Sequence, residues 1–194
     1  GSSGTAEVDI TVTAAPTTAD TTFTIEVDDL EGTENADVFD ATLFYNEFTG
    51  TFLLTLQGAD QADGLGGDDA VNVGLNGVNV APLLDSIEIF NVANTAASAL
   101  TFTGIPDVTA INTGSNLGAQ SFLELPAIVP LGVDNTDQNV ILTFAAGVTD
   151  AGTDTIDLVA ERVLGGDWTI PGVETANLAT AGSAASLIND LVMA

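Results

Sequence analysis

The sequence predicts an all-β protein built as a parallel β-helix, a β-solenoid with short coils, on three observations. Short segments in which apolar and polar residues alternate follow one another along the chain. Gly, Asn, Asp and Pro, which favour tight turns, separate these segments. An apolar pattern also recurs at intervals close to the length of one solenoid coil.

Strands are predicted where this alternation is clearest. Val8, Ile10 and Val12 alternate with polar residues, and residues 14–20 are predicted as a linker after them. Residues 23–27 alternate in the same way. Further strands are predicted at residues 38–44, 51–56, 70–75, 87–92, 100–103, 108–111, 121–125, 139–144, 155–159, 168–170 and 174–178.

The end of the chain predicts a short helix instead. Over residues 184–193, Leu187, Ile188, Leu191 and Val192 recur at helical spacing, with Ser183 before them as an N-cap. We therefore expect an N-terminal arm and linker over residues 1–21, able to donate a strand, and a solenoid body over residues 22–194.

Two segments of the body recur in the same order. Residues 67–73 align with residues 152–158, and residues 87–92 align with residues 173–178 at almost the same separation. A shorter apolar pattern links Ile87 with Ile105. Since one β-helix coil takes about 18 to 25 residues, the short pattern fits one coil and the long unit would hold about four. Two related halves are expected, at about residues 22–110 and 111–194. Two β-sandwich domains fit the same long period and remain the alternative.

The charge of the chain is one-sided. It has 28 Asp and Glu residues against a single basic residue, Arg162, which gives a net charge of −27 over 194 residues. The hydrophobic fraction of 45% is that of a folded protein, so these acids do not belong to a disordered tail. Because so many carboxylates lack a counter-charge, we expect a bound cation, most simply a divalent one, to neutralise some of them.

The missing residue types exclude several functions. Without His, Lys or Cys, the chain lacks catalytic triads, Schiff-base lysines and His-ligated metals, so no enzymatic activity is expected. Nucleic-acid binding needs clustered Lys and Arg and is not expected either. No apolar run reaches the roughly 18 residues of a membrane helix, so membrane insertion is not expected. The absence of Cys fits both a disulfide-free surface protein and a reduced cytosolic protein.

The sharpest local motif is the glycine-rich segment at residues 63–71. It approximates the calcium-binding nonapeptide G-G-x-G-x-D-x-U-x, in which U is a large apolar residue, although Leu65 replaces the second glycine. Calcium prefers six to eight oxygen ligands, and glycines let a turn point its carbonyl oxygens inward. The candidate ligands and turn residues here are Asp63, Gly64, Gly66, Gly67, Asp68 and Asp69.

Two fainter copies of this motif contribute further candidates. One, at residues 151–156, keeps a Gly, an Asp and an apolar residue, and the other, at residues 32–39, keeps an Asp two residues before Phe39. The candidates from these copies are Gly152, Asp154, Asp157, Asn35 and Asp37. The structural alternative is that Gly-Asp clusters are ordinary turns.

The order of these motifs resembles a known family. Residues 32–39, then 60–73, then 87–92 are similar to the G-T-x-x-N-D-x-F, G-G-x-G-x-D-x-L-x-L and G-x-E-x-x-N-L segments of RTX-type surface-layer proteins and large secreted adhesins of Gram-negative bacteria. The resemblance covers about residues 22 to 180. It implies a calcium-dependent, secreted protein that assembles with itself at the cell surface.

The expected function is therefore structural: an extracellular S-layer lattice or filament whose partners are calcium, further copies of the chain and cell-surface polysaccharide. An adhesin module that binds glycan or a host protein is the alternative. Halophilic adaptation, in which acidity only holds hydration, is a third explanation. The concentration of acids in Gly-rich turns favours bound ions over the halophilic explanation.

Overall fold

The computed structural model describes residues 21–182 and 185–193, and in these ranges the chain forms strands and no helix. The predicted arm, with its strand at Val8 to Val12, lies outside the described residues except for Thr21. No described helix is long and apolar enough to cross a membrane. The strands are β1 (Asp29–Thr33), β2 (Val38–Ala41), β3 (Phe44–Asn46), β4 (Thr51–Leu53), β5 (Gln61–Leu65), β6 (Ala70–Leu75), β7 (Asn79–Val80), β8 (Leu83–Asp85), β9 (Ile89–Asn94), β10 (Ser98–Thr101), β11 (Ala110–Gly114), β12 (Gln120–Leu125), β13 (Leu131–Asp134), β14 (Val140–Phe144), β15 (Thr155–Glu161), β16 (Asp167–Thr169), β17 (Thr175–Ala181) and β18 (Asp190–Val192).

The strands stack as a parallel β-solenoid of about six turns. A seven-stranded sheet runs in the order β2-β6-β9-β11-β13-β15-β17, and a six-stranded sheet runs β7-β10-β12-β14-β16-β18. A three-stranded sheet, β1-β5-β8, forms a third wall over the first coils. The prediction of a parallel β-helix is confirmed, and the alternative of two antiparallel sandwiches is wrong.

Most coils have the predicted length, whereas the coils from Phe39 to Val71 and from Leu131 to Leu158 are longer. The register proposed for the short apolar pattern is wrong. In the seven-stranded sheet Ala70 pairs with Ile89, and Phe90 on that strand pairs with Ile111 on the next. Because Phe90 and Ile111 are 21 residues apart, whereas Ile87 and Ile105 are 18 apart, Ile87 and Ile105 are not equivalent positions. The long recurrence does span four coils, because β9, β11 and β13 lie between β6 and β15.

The core is built from columns of apolar side chains, one per coil. Because the strands are parallel and in register, every second residue of the seven-stranded sheet points inward above its counterpart on the next coil. The main column is almost fully buried, at 1% exposure or less, and consists of Phe39, Val71, Phe90, Ile111, Leu131 and Leu158. Phe90 also packs against Phe102 of the opposite wall, with ring centroids 5.1 Å apart.

The outer face of the same sheet carries a column of asparagines. The Asn91 Nδ2 donates to Asn72 Oδ1 at 3.1 Å, and the Asn112 Nδ2 donates to Asn91 Oδ1 at 3.0 Å. Gly132 is next in register. These side chains bond along the stacking direction, so they add to the backbone ladder that joins the coils.

Two predicted elements are wrong. Residues 23–27 form no strand, because the Asp28 carboxylate accepts the Thr24 N–H at 2.6 Å and closes a turn that leaves Ile25 and Val27 exposed. The predicted C-terminal helix is also absent from residues 185–193, while Ser183 and Ala184 lie outside the described residues. There Leu187 bridges Leu164 of the preceding coil, and the chain continues as β18.

One insertion breaks the regular coil. After β2 the chain leaves the solenoid as an antiparallel hairpin, β3–β4, before it returns at β5. The strand predicted over residues 51–56 is shorter than expected, at Thr51–Leu53, because it belongs to this hairpin.

Truncation of the core column should be costly. We predict that Phe90→Ala lowers the free energy of unfolding by about 3–5 kcal/mol, because Phe90 is fully buried and leaves a cavity between two walls. Leu117→Ala, at a side chain that is 72% exposed, should stay within about 0.5 kcal/mol of wild type. Urea unfolding followed by the emission of the buried Trp168 measures the stability of both variants. An equal loss of stability in the two would contradict the burial of Phe90 in the core column.

Candidate cation sites at the coil corners

Acidic residues occupy the corners at which the chain enters the seven-stranded sheet. Asp37, Asp69 and Glu88 stand immediately before β2, β6 and β9, which are neighbours in that sheet. Asp154 and Glu174 stand in the same way before the neighbouring strands β15 and β17. Stacking of equivalent corners therefore places carboxylates on successive coils above one another.

The carboxylates of the later corners accept a backbone N–H from the coil before them. The Asp37 N–H donates to Asp69 Oδ1 at 2.6 Å, and the Asp69 N–H donates to Glu88 Oε2 at 2.7 Å. We call Asp37, Asp69 and Glu88 the corner ladder. A carboxylate that accepts backbone N–H groups is stabilised in its charged form, so the ladder reduces the cost of stacking like charges.

The second carboxylate oxygen of Asp69 lacks the hydrogen bond that the corresponding oxygen of Asp37 accepts. Asp37 Oδ2 accepts the Thr33 N–H at 2.6 Å, four residues earlier in its own turn. The equivalent residue for Asp69 is Leu65, whose backbone has a φ of 68° and whose N–H donates to Asp63 Oδ1 instead. Asp69 Oδ2 is buried, and without the Leu65 N–H it has no hydrogen-bond partner.

The same arrangement recurs where the sequence repeat places it. The Asp154 N–H donates to Glu174 Oε2 at 2.7 Å, the distance found between Asp69 and Glu88. Asp154 Oδ2 is also buried without a partner. In the described part of the chain, the buried side-chain oxygens that lack a hydrogen bond are these two carboxylate oxygens.

Burial alters the acid–base chemistry of the first site. Asp69 is fully buried. Burial raises the pKa of Asp69 above its ordinary value of 3.8, the N–H of Asp37 opposes that rise, and the negative charges of Glu88, Asp37 and Asp68 add to it. An uncompensated charge on Asp69 is therefore unfavourable, and either a proton or a cation relieves it.

Gly64 forms the wall against which this carboxylate lies. A Cβ placed on Gly64 would stand 2.0 Å from the Ser86 carbonyl oxygen and 2.3 Å from Asp69 Oδ2. No side chain fits there, which is the physical reason for a glycine at this point of the motif. The same close packing places the Ser86 carbonyl oxygen near Asp69 Oδ2, the carboxylate oxygen without a hydrogen-bond partner.

The other predicted residues are not gathered around Asp69 Oδ2. Asp68 is exposed, and Gly152 has open space around it. Asp157, on the outer face of β15, accepts a hydrogen bond from the Asn177 side-chain amide. Gly67 packs against the turn at Asn35 and Ala36, and Gly66 lies near Glu34. Asp63 stands on the outer face of the three-stranded sheet, in register with Glu31 and Asp85. Among the described residues no group of three or more acidic side chains converges on one metal position.

Sequence reasoning missed three members of the corners. Glu88 and Glu174 lie inside the aligned repeat, so their recurrence is visible in the sequence, but nothing local indicates that they accept N–H groups from another coil. The third, Asp60, stands before β5, at the corresponding corner of the three-stranded sheet. It is fully buried and accepts the Asp28 and Gln57 N–H groups at 3.1 and 2.6 Å. Asp60 shows how a buried carboxylate at a corner is satisfied when both oxygens have donors.

A second candidate site is a groove of about 690 Å³ on the outer face of the seven-stranded sheet. Its floor includes Asn91, Asn112 and Gly132, and Asp134 and Glu161 lie at its side. Most of the surface that lines the groove is apolar, and it draws on residues of β6, β9, β11, β13 and β15.

No protein-family model matches the chain, and comparison with curated proteins finds no significant match. The resemblance to surface-layer proteins and adhesins therefore rests on the motifs in the sequence.

The space at Gly64 gives a direct test of the corner. We predict that Gly64→Ala lowers the free energy of unfolding by about 2–3 kcal/mol, since the added Cβ overlaps a backbone oxygen and a buried carboxylate. Gly58→Ala is the matched control, because the nearest atom to its Cβ is 3.8 Å away. Thermal and urea unfolding measure both variants, and equal stability would contradict the close packing at Gly64.

The raised pKa of Asp69 predicts a pH dependence with a definite sign. The folded state binds this proton more tightly than the unfolded state, so the stability contributed by Asp69 is present below its ordinary pKa of 3.8 and is lost as the pH rises through the folded-state pKa. Asp69→Asn keeps an oxygen for the Asp37 N–H and carries no charge. Without calcium, the melting temperature of Asp69→Asn should increase relative to that of wild type as the pH rises from about 4 to about 7. A constant difference over this range would contradict the shift.

Proposed function

We propose that the chain is a calcium-dependent structural protein of the bacterial cell surface, which assembles with itself into an extracellular lattice or filament. The calcium dependence is supported by two buried carboxylate oxygens that lack a hydrogen-bond partner, one on Asp69 and one on Asp154. Both carboxylates stand immediately before a strand of the seven-stranded sheet, at positions that the sequence repeat aligns. A chain with 28 acids and one basic residue has almost no cation of its own to supply.

The donor types at the corner fit calcium. Asp69 Oδ2 and the neighbouring Ser86 carbonyl oxygen are hard oxygen donors, the class that calcium prefers, and no nitrogen or sulfur ligand is needed. Calcium bound to Asp69 would provide the positive charge that the Leu65 N–H does not provide, because that N–H donates to Asp63. Asp154 offers the same carboxylate in the second copy.

Calcium would link folding to location. Binding to the folded state stabilises it by mass action, by about 2.7 kcal/mol per site at a 100-fold excess over the dissociation constant. Neutralised carboxylates also reduce the repulsion between copies. A protein of this kind assembles where calcium is abundant, as it is outside the cell, and stays apart where calcium is scarce.

An adhesin module remains the second candidate because of the groove on the seven-stranded sheet. Asn91 and Asn112 in its lining are hydrogen-bonding groups of the type that recognises sugar hydroxyls, and the lining residues come from several successive coils. A monomer that binds cell-surface glycans through Asn91 and Asn112 would favour this function over assembly.

Calcium dependence is tested by melting temperature with millimolar calcium and with EDTA. Wild type should gain roughly 5–10 °C per site in calcium. Asp69→Asn and Asp154→Asn should each lose part of that gain, whereas Glu47→Gln, which removes one charge from an exposed position on the β3–β4 hairpin, should keep it. An equal gain in all four proteins would show that calcium only screens surface charge.

Self-assembly is tested separately by sedimentation velocity of wild type in the same two buffers. The proposal expects species larger than the 19.6 kDa monomer in calcium and monomer in EDTA. A monomer in both buffers, with glycan binding that Asn91→Ala removes, would replace the structural function with the adhesin.

A further inference from the structure

The edge of β1 that faces away from β5 is open among the described residues. β1 pairs with β5, which pairs in turn with β8, so β1 is the outermost strand of the three-stranded sheet. The Asp28 carbonyl oxygen accepts the Gln61 N–H at 2.9 Å, and successive residues of a strand bond alternately to its two sides. The N–H and C=O groups of Asp29 and Glu31 therefore point towards the open edge, where they can pair with a further strand.

Apolar burial also decreases towards this edge. Leu84, Ala62 and Leu30 form one inward column on β8, β5 and β1. Leu84 and Ala62 are 1% and 4% exposed, whereas Leu30 packs against the core but is only partly buried. A segment that covered the open edge would complete the burial of Leu30.

The first described residues show where the preceding chain enters the solenoid. The Asp40 N–H donates to the Thr21 carbonyl oxygen at 2.8 Å, and the Asp40 carbonyl oxygen accepts the Phe23 N–H at 2.9 Å. Thr22 consequently lies beside Asp40 in a parallel bridge to β2. Phe23 is buried, and its ring centroid lies 6.4 Å from that of Phe39. This short segment, which we call the first rung, is the start of the seven-stranded sheet, and twenty residues of the sequence precede it.

The length of the first coils predicts which of those twenty residues reach the open edge. Nine positions separate Asp29 of β1 from Val38 of β2, and nine separate their partners, Gln61 of β5 and Ala70 of β6. Counted back from the first rung by the same nine positions, the residues in register with β1 are residues 11–15.

We propose that residues 11–15 form a parallel strand on the open edge of β1 of the same chain and so cover the N-terminal end of the solenoid. Solenoids need such a terminal cover, and an edge that is already paired offers no N–H and C=O groups to strands of other copies. This strand requires neither calcium nor a second copy, so its test is separate from the tests of the proposed function.

The apolar alternation of the arm agrees with this register. Val12, the last residue of the strand predicted from the sequence, falls beside Leu30 of the inward column, and Ala14 falls beside Gly32. The other apolar residues of that predicted strand lie two and four positions before Val12, and so share its parity. A shift of one residue would turn all of them outward. The first rung and the coil length set the register without reference to these side chains, so the agreement is independent support.

Pro16 falls where the pairing with β1 ends. In the proposed register the residue 16 N–H would be the donor opposite the Thr33 carbonyl oxygen, and proline has no N–H. That oxygen already accepts the Gly66 N–H at 3.3 Å, and the Thr33 N–H donates to Asp37 Oδ2 at 2.6 Å. Since both backbone groups of Thr33 have partners within the described solenoid, the proline removes no bond from the new pairing.

The charges of the arm permit the contact with an acidic strand. Residues 10–19 contain no charged residue. In the proposed register Thr11 falls beside Asp29 and Thr13 beside Glu31, on the outer face of the sheet. Hydroxyl groups, rather than further carboxylates, would then stand next to the two acids, which adds no repulsion between like charges.

Introduced thiols test the register, because the chain has no Cys. Thr13→Cys/Glu31→Cys places two thiols on paired residues of neighbouring strands, about 4.8 Å apart between Cα atoms, which a disulfide can span. Thr13→Cys/Asp85→Cys is the matched control, because Asp85 lies two strands further along the same sheet. With mild oxidation of dilute protein in EDTA, the first pair should form a disulfide within one chain roughly tenfold faster than the control pair.

Hydrogen exchange gives a second readout without thiols. In the proposed pairing the Val12 N–H donates to Asp29 and the Glu31 N–H donates to Val12, so Val12→Pro breaks the contact. Thr13→Pro is the control, because the Thr13 N–H would point away from β1. The Glu31 N–H should exchange roughly tenfold faster in Val12→Pro than in wild type or Thr13→Pro. Emission of the buried Trp168 verifies that the variants are folded.

Several results would overturn the proposal. Equal oxidation rates in the two thiol pairs, or a Glu31 N–H that exchanges as fast in wild type as in Val12→Pro, would show that residues 11–15 do not pair with β1. A disulfide that links two chains would show that the arm of another copy fills the edge. A wild type that stays monomeric and gains no stability in calcium would remove the proposed function and leave this strand in place.

Discussion

In-register parallel stacking is the constraint on which the rest of this structure depends. Each strand lies directly above its counterpart on the previous coil, so residues at equivalent positions are forced to contact one another. Stacking rewards apolar and amide side chains, as in the column from Phe39 to Leu158 and in the Asn72, Asn91 and Asn112 ladder. It penalises carboxylates, because like charges are brought within one strand spacing.

The corners show how the chain accommodates that penalty. A carboxylate placed just before a strand accepts the N–H of the previous corner, and where its second oxygen also has a donor, as in Asp60, the buried charge is satisfied. At Asp69 the first bond is kept and the second is missing, and Asp154 likewise has an oxygen without a donor. The glycine-rich turn is the cause at Asp69, since Leu65 directs its N–H elsewhere. The stability of these corners is thereby coupled to whatever neutralises them.

Much of the fold is predictable because alternation and coil length are local properties of the sequence. The strand predicted at residues 70–75 has the bounds observed for β6. The sequence does not predict β13, because Pro130 and Gly132 interrupt its alternation, or β5, because Asp63 and Gly64 are typical of a turn. The orphaned oxygen of Asp69 depends on residues from different coils, and no local pattern shows which residues a coil will stack together.

The central claim is that a cation occupies the two orphaned corners. Anomalous scattering from crystals grown in calcium, recorded at long wavelength, tests it most directly. The predicted result is a calcium peak about 2.3–2.6 Å from Asp69 Oδ2 and another at that distance from Asp154 Oδ2. Crystals that diffract well in calcium and show no peak at either carboxylate, or peaks only on the outer column of Glu31, Asp63 and Asp85, would contradict it.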